Sequence, residues 1–359
     1  MNFTDLTTFG WDEFFESNFK SYAVSGYTCG RVALEHKNCF SVYTQCGEML
    51  AEISGKLRHN AVNRMDLPAV GDWVVIRSRP ECGRSLIQAV LPRRTSFLRK
   101  IAGARTEEQI VGANMDTVFL LTSLNQDFSL RRIERYLIIA WESGANPIII
   151  LSKSDLCDRV AERITEVQTV ARGVPIHAIS VVTGLGLQDI SSYFNRGQTV
   201  ALLGSSGVGK STLINHLAGV DHLKVQTVRE RDDRGRHTTT HRELVLLPTG
   251  GLVLDTPGMR ELQLWDGDES LQLVFEDINA RASYCFFSDC RHQDEPRCAV
   301  REALEAGEID RGRYRSYEKL QKELKYLDRR RDVLSEILEK KKWKKLSRLA
   351  TDRARLKRH

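Results

Sequence analysis

The chain of 359 residues is long enough for two or three domains, and a hydrophobic share of 41% can give each of them a core. No run of 18 apolar residues occurs, and the N-terminus lacks the basic start and apolar stretch of a secretory signal. We therefore expect no membrane span and a cytoplasmic location. The net charge of +6 is uneven, because residues 311–359 hold 19 basic and 7 acidic residues, a net charge of +12. This excess indicates a polyanionic partner.

The first 100 residues predict an N-terminal extension followed by a small β domain. Residues 1–26 carry aromatic side chains at helical spacing, which favours a short amphipathic helix, with a flexible lead-in as the alternative: Trp11, Phe14, Phe15 and Phe19. In residues 27–100, short strands separated by turn residues are expected over 27–34, 39–44, 48–53, 73–77 and 84–90. This pattern favours a small β-barrel of the oligonucleotide-binding (OB) type, with a plain packing domain as the alternative. Residues 91–100 are interpreted as a basic connector.

Residues 101–268 alternate between apolar strands and helical segments. Strands are expected over 116–121, 147–151, 174–180, 199–203, 244–247 and 252–254, and helices over 130–141, 156–171 and 187–194. Continuous apolar strands separated by helices are typical of a parallel sheet that is buried on both faces. The sequence therefore predicts a central α/β domain.

A phosphate-binding loop follows the strand at 199–203 and opens a helix. Its spacing is Gly204-x-x-x-x-Gly209-Lys210-Ser211. Glycines let backbone N–H groups converge on anionic oxygens, and the helix N-terminus adds a partial positive charge. Lys210 would then reach the β- and γ-phosphates, and the Ser211 hydroxyl would bind Mg²⁺.

Two later segments carry residues that suit sensing of a γ-phosphate. Asp255-x-x-Gly258 ends an apolar strand, where the carboxylate could hold Mg²⁺ and the glycine N–H could meet the γ-phosphate. Residues 229–241 are polar and rich in threonine, as in a switch loop, and Thr239 is the first candidate for Mg²⁺ coordination, with Thr238 the second. An ordinary loop is the alternative there.

Two loops that precede the phosphate loop suit recognition of guanine. Asp155 follows the strand at 147–151, and its carboxylate can accept both N1–H and N2–H of guanine, a donor pair that adenine lacks. Lys153 would pack its stem over the base. The loop that begins at Ser180 could place a backbone N–H near guanine O6. Each of these two signals is weak when taken alone.

Taken together, these motifs resemble the signature set of GTP-binding proteins in a circularly permuted order. With the Gly-Arg-His-Thr-Thr-Thr run at 235–240 and the basic segment near residue 92, the chain resembles the circularly permuted, small-ribosomal-subunit-dependent GTPases (ribosome small subunit-dependent GTPase A). The permutation leaves every loop at one edge of the parallel sheet. The resemblance implies GTP binding by the following residues: Ser152, Lys153, Ser154, Asp155, Ser180, Gly204, Ser205, Ser206, Gly207, Val208, Gly209, Lys210, Ser211, Thr212, Thr238, Thr239, Asp255 and Gly258.

The chain departs from the usual signature at two positions of the base-reading loops. Ser152 stands where asparagine is usual, so the side chain that ties this loop to the phosphate loop is shortened to a hydroxyl. Val181 stands where alanine is usual. We expect weaker guanine affinity from the first change, with specificity retained through Asp155.

Hydrolysis needs a group that orients the attacking water, and Met259 occupies the position where Ras-like proteins have glutamine. We therefore expect slow intrinsic turnover, with His237 as the catalytic candidate, because an imidazole can orient or deprotonate water near neutral pH. For His237, the alternative is a solvated loop histidine. For the whole protein, the alternatives are an RNA-binding adaptor that uses GTP only as a conformational ligand and a P-loop enzyme that uses ATP.

The eight cysteines do not suggest a disulfide framework, but three of them cluster with a histidine. Cys285, Cys290, His292 and Cys298 supply three thiolates and one imidazole within 14 residues, which is the composition of a closed structural zinc site. Three buried thiols beside a surface histidine are the alternative.

Residues 269–359 are predicted to be an α-helical, zinc-binding and basic domain. A helix is expected over 271–282 and another over 317–338, and clustered cations with one tryptophan at 340–345 suit contacts with RNA phosphates and bases. A solvated helix end is the alternative. The resemblance implies GTP and GDP, the small ribosomal subunit and its rRNA as partners, and Mg²⁺ bound with GTP. We also expect one structural zinc per chain, no membrane partner and a monomer.

Overall fold

The computed structural model describes residues 5–37, 39–77, 85–101, 107–125, 127–219, 242–255, 268–327 and 329. The chain divides into two compact units, Met1–Gln263 and Leu264–His359. Within the described ranges, no helix combines the length and the hydropathy that crossing a membrane requires.

The N-terminal extension folds as a 3₁₀ turn, Leu6–Phe9, and helix α1, Glu13–Val24. The Asp12 side chain caps α1 by accepting from the backbone N–H groups of Phe14 and Phe15. Phe15 and Phe19 face inward, as the helical spacing of the aromatic residues predicted. Trp11 meets the buried Trp73 edge to face, with ring centroids 4.6 Å apart.

The predicted barrel is present and closed. Its strands are β1 (Thr28–Glu35), β2 (Phe40–Thr44), β3 (Gly47–Ile53), β4 (Trp73–Arg77) and β5 (Ser85–Val90). They pair in the order β1-β2-β3-β5-β4, and β4 pairs back onto β1. Helix α2 (Gly55–Asn60) follows β3. Closure removes the strand edges that would otherwise stay unpaired.

A fully buried arginine joins the extension, the barrel and the start of the α/β domain. Arg31 of β1 donates to the carbonyl oxygens of Gly71 at 3.2 Å, Asn114 at 2.6 Å and Phe9. Burial lowers the pKa of its guanidinium to about 10, although the negative charges of Asp116 and Asp72 act to raise it. The side chain thus stays charged at neutral pH, and backbone carbonyls from three segments satisfy it.

Residues 91–100 are not all connector, contrary to the sequence-based expectation. Strand β6 (Ser96–Ile101) pairs antiparallel with β7 (Glu107–Ala113) as a separate two-stranded sheet. Leu98 and Ile110 of this hairpin pack beside Ala69. The segment therefore contains apolar residues that pack in a core, in addition to its basic residues. The positive charge of the segment had masked this alternation.

The α/β domain contains β8 (Thr117–Ser123), β9 (Asn146–Ser152), β10 (Ile176–Ala178), β11 (Thr199–Gly204), β12 (Glu243–Leu246) and β13 (Leu252–Asp255). Their order is β10-β9-β8-β11-β13-β12, and all pairings are parallel except that of β12 with β13. The helices are α3 (Leu130–Glu142), α4 (Val160–Val170), α5 (Leu187–Ile190) and α6 (Lys210–Ala218). The expected α/β domain is confirmed, with one antiparallel strand added to it.

Strand β12 joins this sheet to the barrel. Leu34 of β1 pairs with Glu243 of β12, which makes one continuous sheet across the first unit. Tyr43 donates its hydroxyl to the carbonyl of Leu244 at 3.3 Å. The barrel and the α/β domain are therefore held together by backbone pairing as well as by side chains.

The second unit is helical in its described part. Its helices are α7 (Asp268–Val274), α8 (Glu276–Ala282), α9 (Ala299–Glu305) and α10 (residues 311–327). The single helix expected over 271–282 is interrupted at Phe275. Arg313 stabilises the break by donating to both carboxylate oxygens of Asp277, at 2.8 and 2.7 Å, and to the carbonyl of Val274 at 2.7 Å. The basic segment at 340–359 lies outside the described residues.

Candidate nucleotide site and metal centre

The loops singled out in the sequence meet at the carboxyl edge of the parallel strands. Ser123 at the end of β8 pairs in register with Ser152 at the end of β9, and Leu121 pairs with Gly204 at the end of β11. Asp255 ends β13, whose Leu254 pairs with Ala201 of β11. Because these neighbouring strands run in the same direction, the loops that follow them share one crevice.

The phosphate loop approaches β8 closely enough that its first position requires glycine. A Cβ on Gly204 would lie 2.6 Å from the carbonyl oxygen of Leu121. Gly207 and Gly209 have φ values of 80° and 98°, which a side chain would strain. Helix α6 begins immediately afterwards at Lys210, so its N-terminus faces the loop.

The ammonium of Lys210 lies over the phosphate loop. Its Nζ donates to the carbonyls of Gly204 and Ser205, each at 2.7 Å. Ser211 and Thr212 follow in the first turn of α6, both half-buried. This arrangement presents a cation and helix N–H groups on the same side of the loop, which is suited to a triphosphate.

The loop at residues 152–155, which is predicted to read guanine and is called the guanine-reading loop below, is bonded directly to the phosphate loop. The buried hydroxyl of Ser152 donates to the carbonyl of Val208 at 2.6 Å, so the shorter side chain still makes the connection expected of asparagine. Lys153 has a left-handed backbone, with φ 57°, and lines a cavity of about 510 Å³ with Ser205, Ser206 and Gly207. Asp155 is exposed in the turn that follows.

The loop that begins at Ser180 lies beside the guanine-reading loop. The backbone N–H of Ser154 donates to Ile179 at 3.1 Å, and Ile179 donates to Leu151 at 2.9 Å. Ser180 itself is buried and shapes its own turn: its N–H donates to Leu185 at 2.9 Å, and its hydroxyl accepts from Thr183. Any N–H offered to guanine O6 would therefore come from residues after Ser180.

Sequence reasoning missed a polar group beside the phosphate loop. Ser205 donates its hydroxyl to a carboxylate oxygen of Asp127 at 2.7 Å, and Arg132 donates to the same oxygen at 2.7 Å. The side chains of Asp127 and Arg132 line the 510 Å³ cavity. Asp127 comes a few residues after an apolar strand, and that position at the carboxyl edge is the signal that could have revealed it.

Some candidate residues lie outside the described ranges: His237, Thr238, Thr239 and Gly258, together with Met259. Their proposed roles stay predictions. Asp255 is described and buried at the tip of β13, where the sequence had placed it.

The four metal-ligand candidates converge, with their ligand atoms all within 4.8 Å of one another. The Sγ atoms of Cys285 and Cys298 are 3.9 Å apart, and the Nδ1 of His292 lies 3.6 and 3.4 Å from them. Two ligands at about 2.0–2.3 Å from a tetrahedral zinc lie roughly 3.3–3.8 Å apart. Three thiols and one imidazole at these spacings fit one zinc ion.

The permuted order of motifs, the phosphate loop and the parallel sheet together define a circularly permuted P-loop GTPase. The family model for RsgA GTPase matches residues 90–265, and the chain belongs to this family. A model for ABC transporters also matches residues 187–348, a range that contains the phosphate loop common to P-loop proteins.

Curated relatives extend the likeness over nearly the whole chain. The protein called small ribosomal subunit biogenesis GTPase RsgA from Opitutus terrae is 47% identical over 350 residues, 95% of each chain. That called small ribosomal subunit biogenesis GTPase RsgA 1 from Oceanobacillus iheyensis is 48% identical over 319 residues, 88% of this chain and 91% of that one.

Two solved structures have the same fold. YjeQ from Thermotoga maritima is 30% identical, with a TM-score of 0.61, and the match covers 83% of this chain and 98% of that one. YloQ, described as a circularly permuted GTPase, is 25% identical with a TM-score of 0.58, covering 83% and 95%. Membership of the family identifies the chain as a GTPase, and the two structures show that the fold is shared.

Proposed function

We propose that the chain binds GTP with Mg²⁺ at the carboxyl edge of the sheet and hydrolyses it on the small ribosomal subunit during late maturation. The observation that carries the proposal is the 2.6 Å bond from Ser152 to the carbonyl of Val208. It supports a single pocket in which Asp155 reads the guanine while the loop from Gly204 to Lys210 holds the phosphates.

Magnesium would be held by hydroxyls and a carboxylate around the γ-phosphate. Ser211 follows Lys210 in α6, and the buried Asp255 ends a strand on the same edge. Thr239, or Thr238 in its place, would complete the set when the γ-phosphate is present. His237 would orient the attacking water, because the methionine at position 259 cannot.

Zinc would serve the second unit as a structural ion. Four protein ligands close a tetrahedron and leave no coordination position for a substrate. The chain's own contribution is to hold three thiolates and the His292 ring in place, with the loop anchored to α10 by Tyr314, which donates to the carbonyl of His292 at 3.4 Å.

Ribosomal RNA would be the polyanion that the charge distribution requires. The relatives are named for small ribosomal subunit biogenesis, the closed barrel is of a kind that often binds nucleic acid, and residues 311–359 carry a net charge of +12. The chain would act on the subunit as a single copy, with GTP hydrolysis linked to its release.

Phosphate release tests the proposal. Isolated small ribosomal subunits should raise GTP turnover well above the intrinsic rate, while large subunits should not. Equal rates with and without small subunits would contradict it and would favour the adaptor reading. A companion measurement is binding to small subunits at several salt concentrations with residues 340–359 removed: the affinity and the slope against salt should both fall.

A further inference from the structure

Ser205, the second residue of the phosphate loop, is held from outside the loop by two charged side chains. Its hydroxyl donates to Asp127, 2.7 Å away. Arg132 donates to the same carboxylate oxygen at 2.7 Å, to the backbone carbonyl of Asp127 at 3.0 Å and to the Ser205 hydroxyl at 3.4 Å. The three residues form one hydrogen-bonded group, which we name the Ser205 brace.

The topology explains why this group is at the phosphate loop. Strands β8 and β11 are neighbours, so the segment that leaves β8 after Ser123 runs beside the loop that leaves β11. Asn125 shapes that segment by accepting from the Ser123 hydroxyl at 2.8 Å and from the backbone N–H of Asp127 at 3.0 Å. The carboxylate is therefore aimed at Ser205 by its own turn.

The placement of Arg132 is unfavourable for the helix that carries it. It lies in the first turn of α3, whose N-terminus carries a partial positive charge that disfavours a cation. Its side chain keeps 31% of its exposure and the Asp127 side chain 41%, so the ion pair adds little to stability. The position of Arg132 is therefore explained better by its contacts with Asp127 and Ser205 than by helix stability.

The brace connects to the lysine of the phosphate loop through the backbone of Ser205. The Ser205 carbonyl accepts from Lys210 Nζ at 2.7 Å, and the Ser205 hydroxyl is bonded to Asp127. We propose that Asp127 and Arg132 are positioning residues for GTP binding: they hold Ser205 so that its carbonyl keeps the Lys210 ammonium over the phosphate site. This inference rests on the proposed nucleotide site.

The test measures affinity for a fluorescent GTP analogue and for GDP in full-length variants. Asp127→Ala and Ser205→Ala should each weaken binding of both nucleotides about tenfold, since each removes a charge-assisted bond. Because both act through the same bond, the double variant should be within about twofold of the weaker single variant. Melting temperatures should fall by no more than about 4 °C.

Three further variants separate positioning from general damage. Arg132→Lys should lose less affinity than Arg132→Ala, because an ammonium can still reach Asp127. Asp127→Asn should fall between Asp127→Ala and the unmodified chain, because its amide oxygen can still accept from Ser205. Glu162→Gln is the matched control: it breaks the exposed ion pair between Arg159, which precedes α4, and Glu162 in α4, and it should leave nucleotide affinity unchanged.

The outcomes that overturn the inference are distinct from those that overturn the proposed function. Losses that multiply in the double variant, or an unchanged affinity in Asp127→Ala, would overturn the role of the Ser205 brace while Lys210→Ala still abolishes binding. Full nucleotide affinity in Lys210→Ala would overturn the nucleotide site itself, and the inference with it.

Discussion

Two regions obtain their geometry in opposite ways. One is the carboxyl edge of the parallel sheet, where we propose that the nucleotide binds and which we call the nucleotide edge. The other is the loop from Cys285 to Cys298, which we call the Cys/His loop. The nucleotide edge assembles residues from Ser123 to Asp255, far apart in the chain, and the strand register places them. The Cys/His loop takes its ligands from the 14 residues between Cys285 and Cys298, and no strand or helix crosses that span. Strand pairing can position a site in the absence of its ligand, whereas a short loop without regular structure needs additional bonds, such as those to a metal ion, to hold its conformation.

The side chains around the metal ligands show how little apolar burial supports that loop. Tyr284 and Phe286 are 78% and 64% exposed, although they flank Cys285. His292 and Arg297 have φ values of 60° and 57°, an uncommon conformation for residues with side chains. Bonds to a metal ion would offset both costs, so the loop should depend on zinc and the nucleotide edge should not.

Metal removal should produce the largest effect and should affect only one of the two regions. Chelation of zinc, or Cys298→Ser, should unfold residues 285–298, because apparent binding energies of structural zinc are on the order of 10 kcal/mol. Hydrogen exchange across the second unit measures this, and nucleotide affinity measured alongside should change by less than about twofold. Cys46→Ser, at an exposed cysteine of the barrel segment, is the control.

A protected Cys/His loop in the zinc-free protein would contradict this difference between the regions. Loss of nucleotide binding on chelation would contradict it from the other side, by making the sheet-built site depend on the metal.

Crowding the phosphate loop should have the next largest effect. Gly204→Ala places a Cβ 2.6 Å from the carbonyl oxygen of Leu121, so the loop or β8 must shift, at a cost of about 1–3 kcal/mol. Nucleotide affinity should fall by about a hundredfold, because the loop's N–H groups would move with it. Gly55→Ala in α2 adds the same methyl where nothing lies within 4 Å; it should leave nucleotide affinity unchanged and should not lower the melting temperature.

Breaking the bond between the two loops should have a smaller effect. Ser152→Ala leaves the carbonyl of Val208 without the 2.6 Å donor, and we expect about a tenfold loss of GTP affinity. Ser191→Ala removes a comparable bond from an exposed serine to the carbonyl of Gln188 and serves as the control. Equal affinities for the unmodified chain and Ser152→Ala would show that the sheet alone keeps the loops together.

The regular parts of the chain were predictable because their signals are local. The strands around Gly204 and Ser152 are continuous apolar runs, and the Cys/His loop is contiguous in the sequence. The β6–β7 hairpin was not predicted because basic residues in β6 interrupt the alternation of apolar and polar residues that is typical of a strand. The break at Phe275 was not predicted because helical spacing continues across it, while the contacts of Arg313 with Asp277 and Val274 join residues that are distant in sequence.

The Ser205 brace could not be predicted from motif spacing. Asp127 and Ser205 are 78 residues apart, and their contact depends on β8 being the neighbour of β11. A parallel order of strands can be inferred from the alternation of elements, but which strands are neighbours follows from tertiary packing.

Nucleotide competition with wild type and Asp155→Asn asks whether the loop at Asp155 selects guanine. A carboxylate at Asp155 would accept two hydrogen bonds from guanine, whereas an amide there would offer one acceptor and one donor, which match N1–H and the C2 carbonyl of xanthine. We expect wild type to prefer GTP over ATP and XTP, and Asp155→Asn to lose about a hundredfold in GTP affinity while gaining affinity for XTP. An unchanged preference for GTP in Asp155→Asn would contradict the guanine-reading role of Asp155.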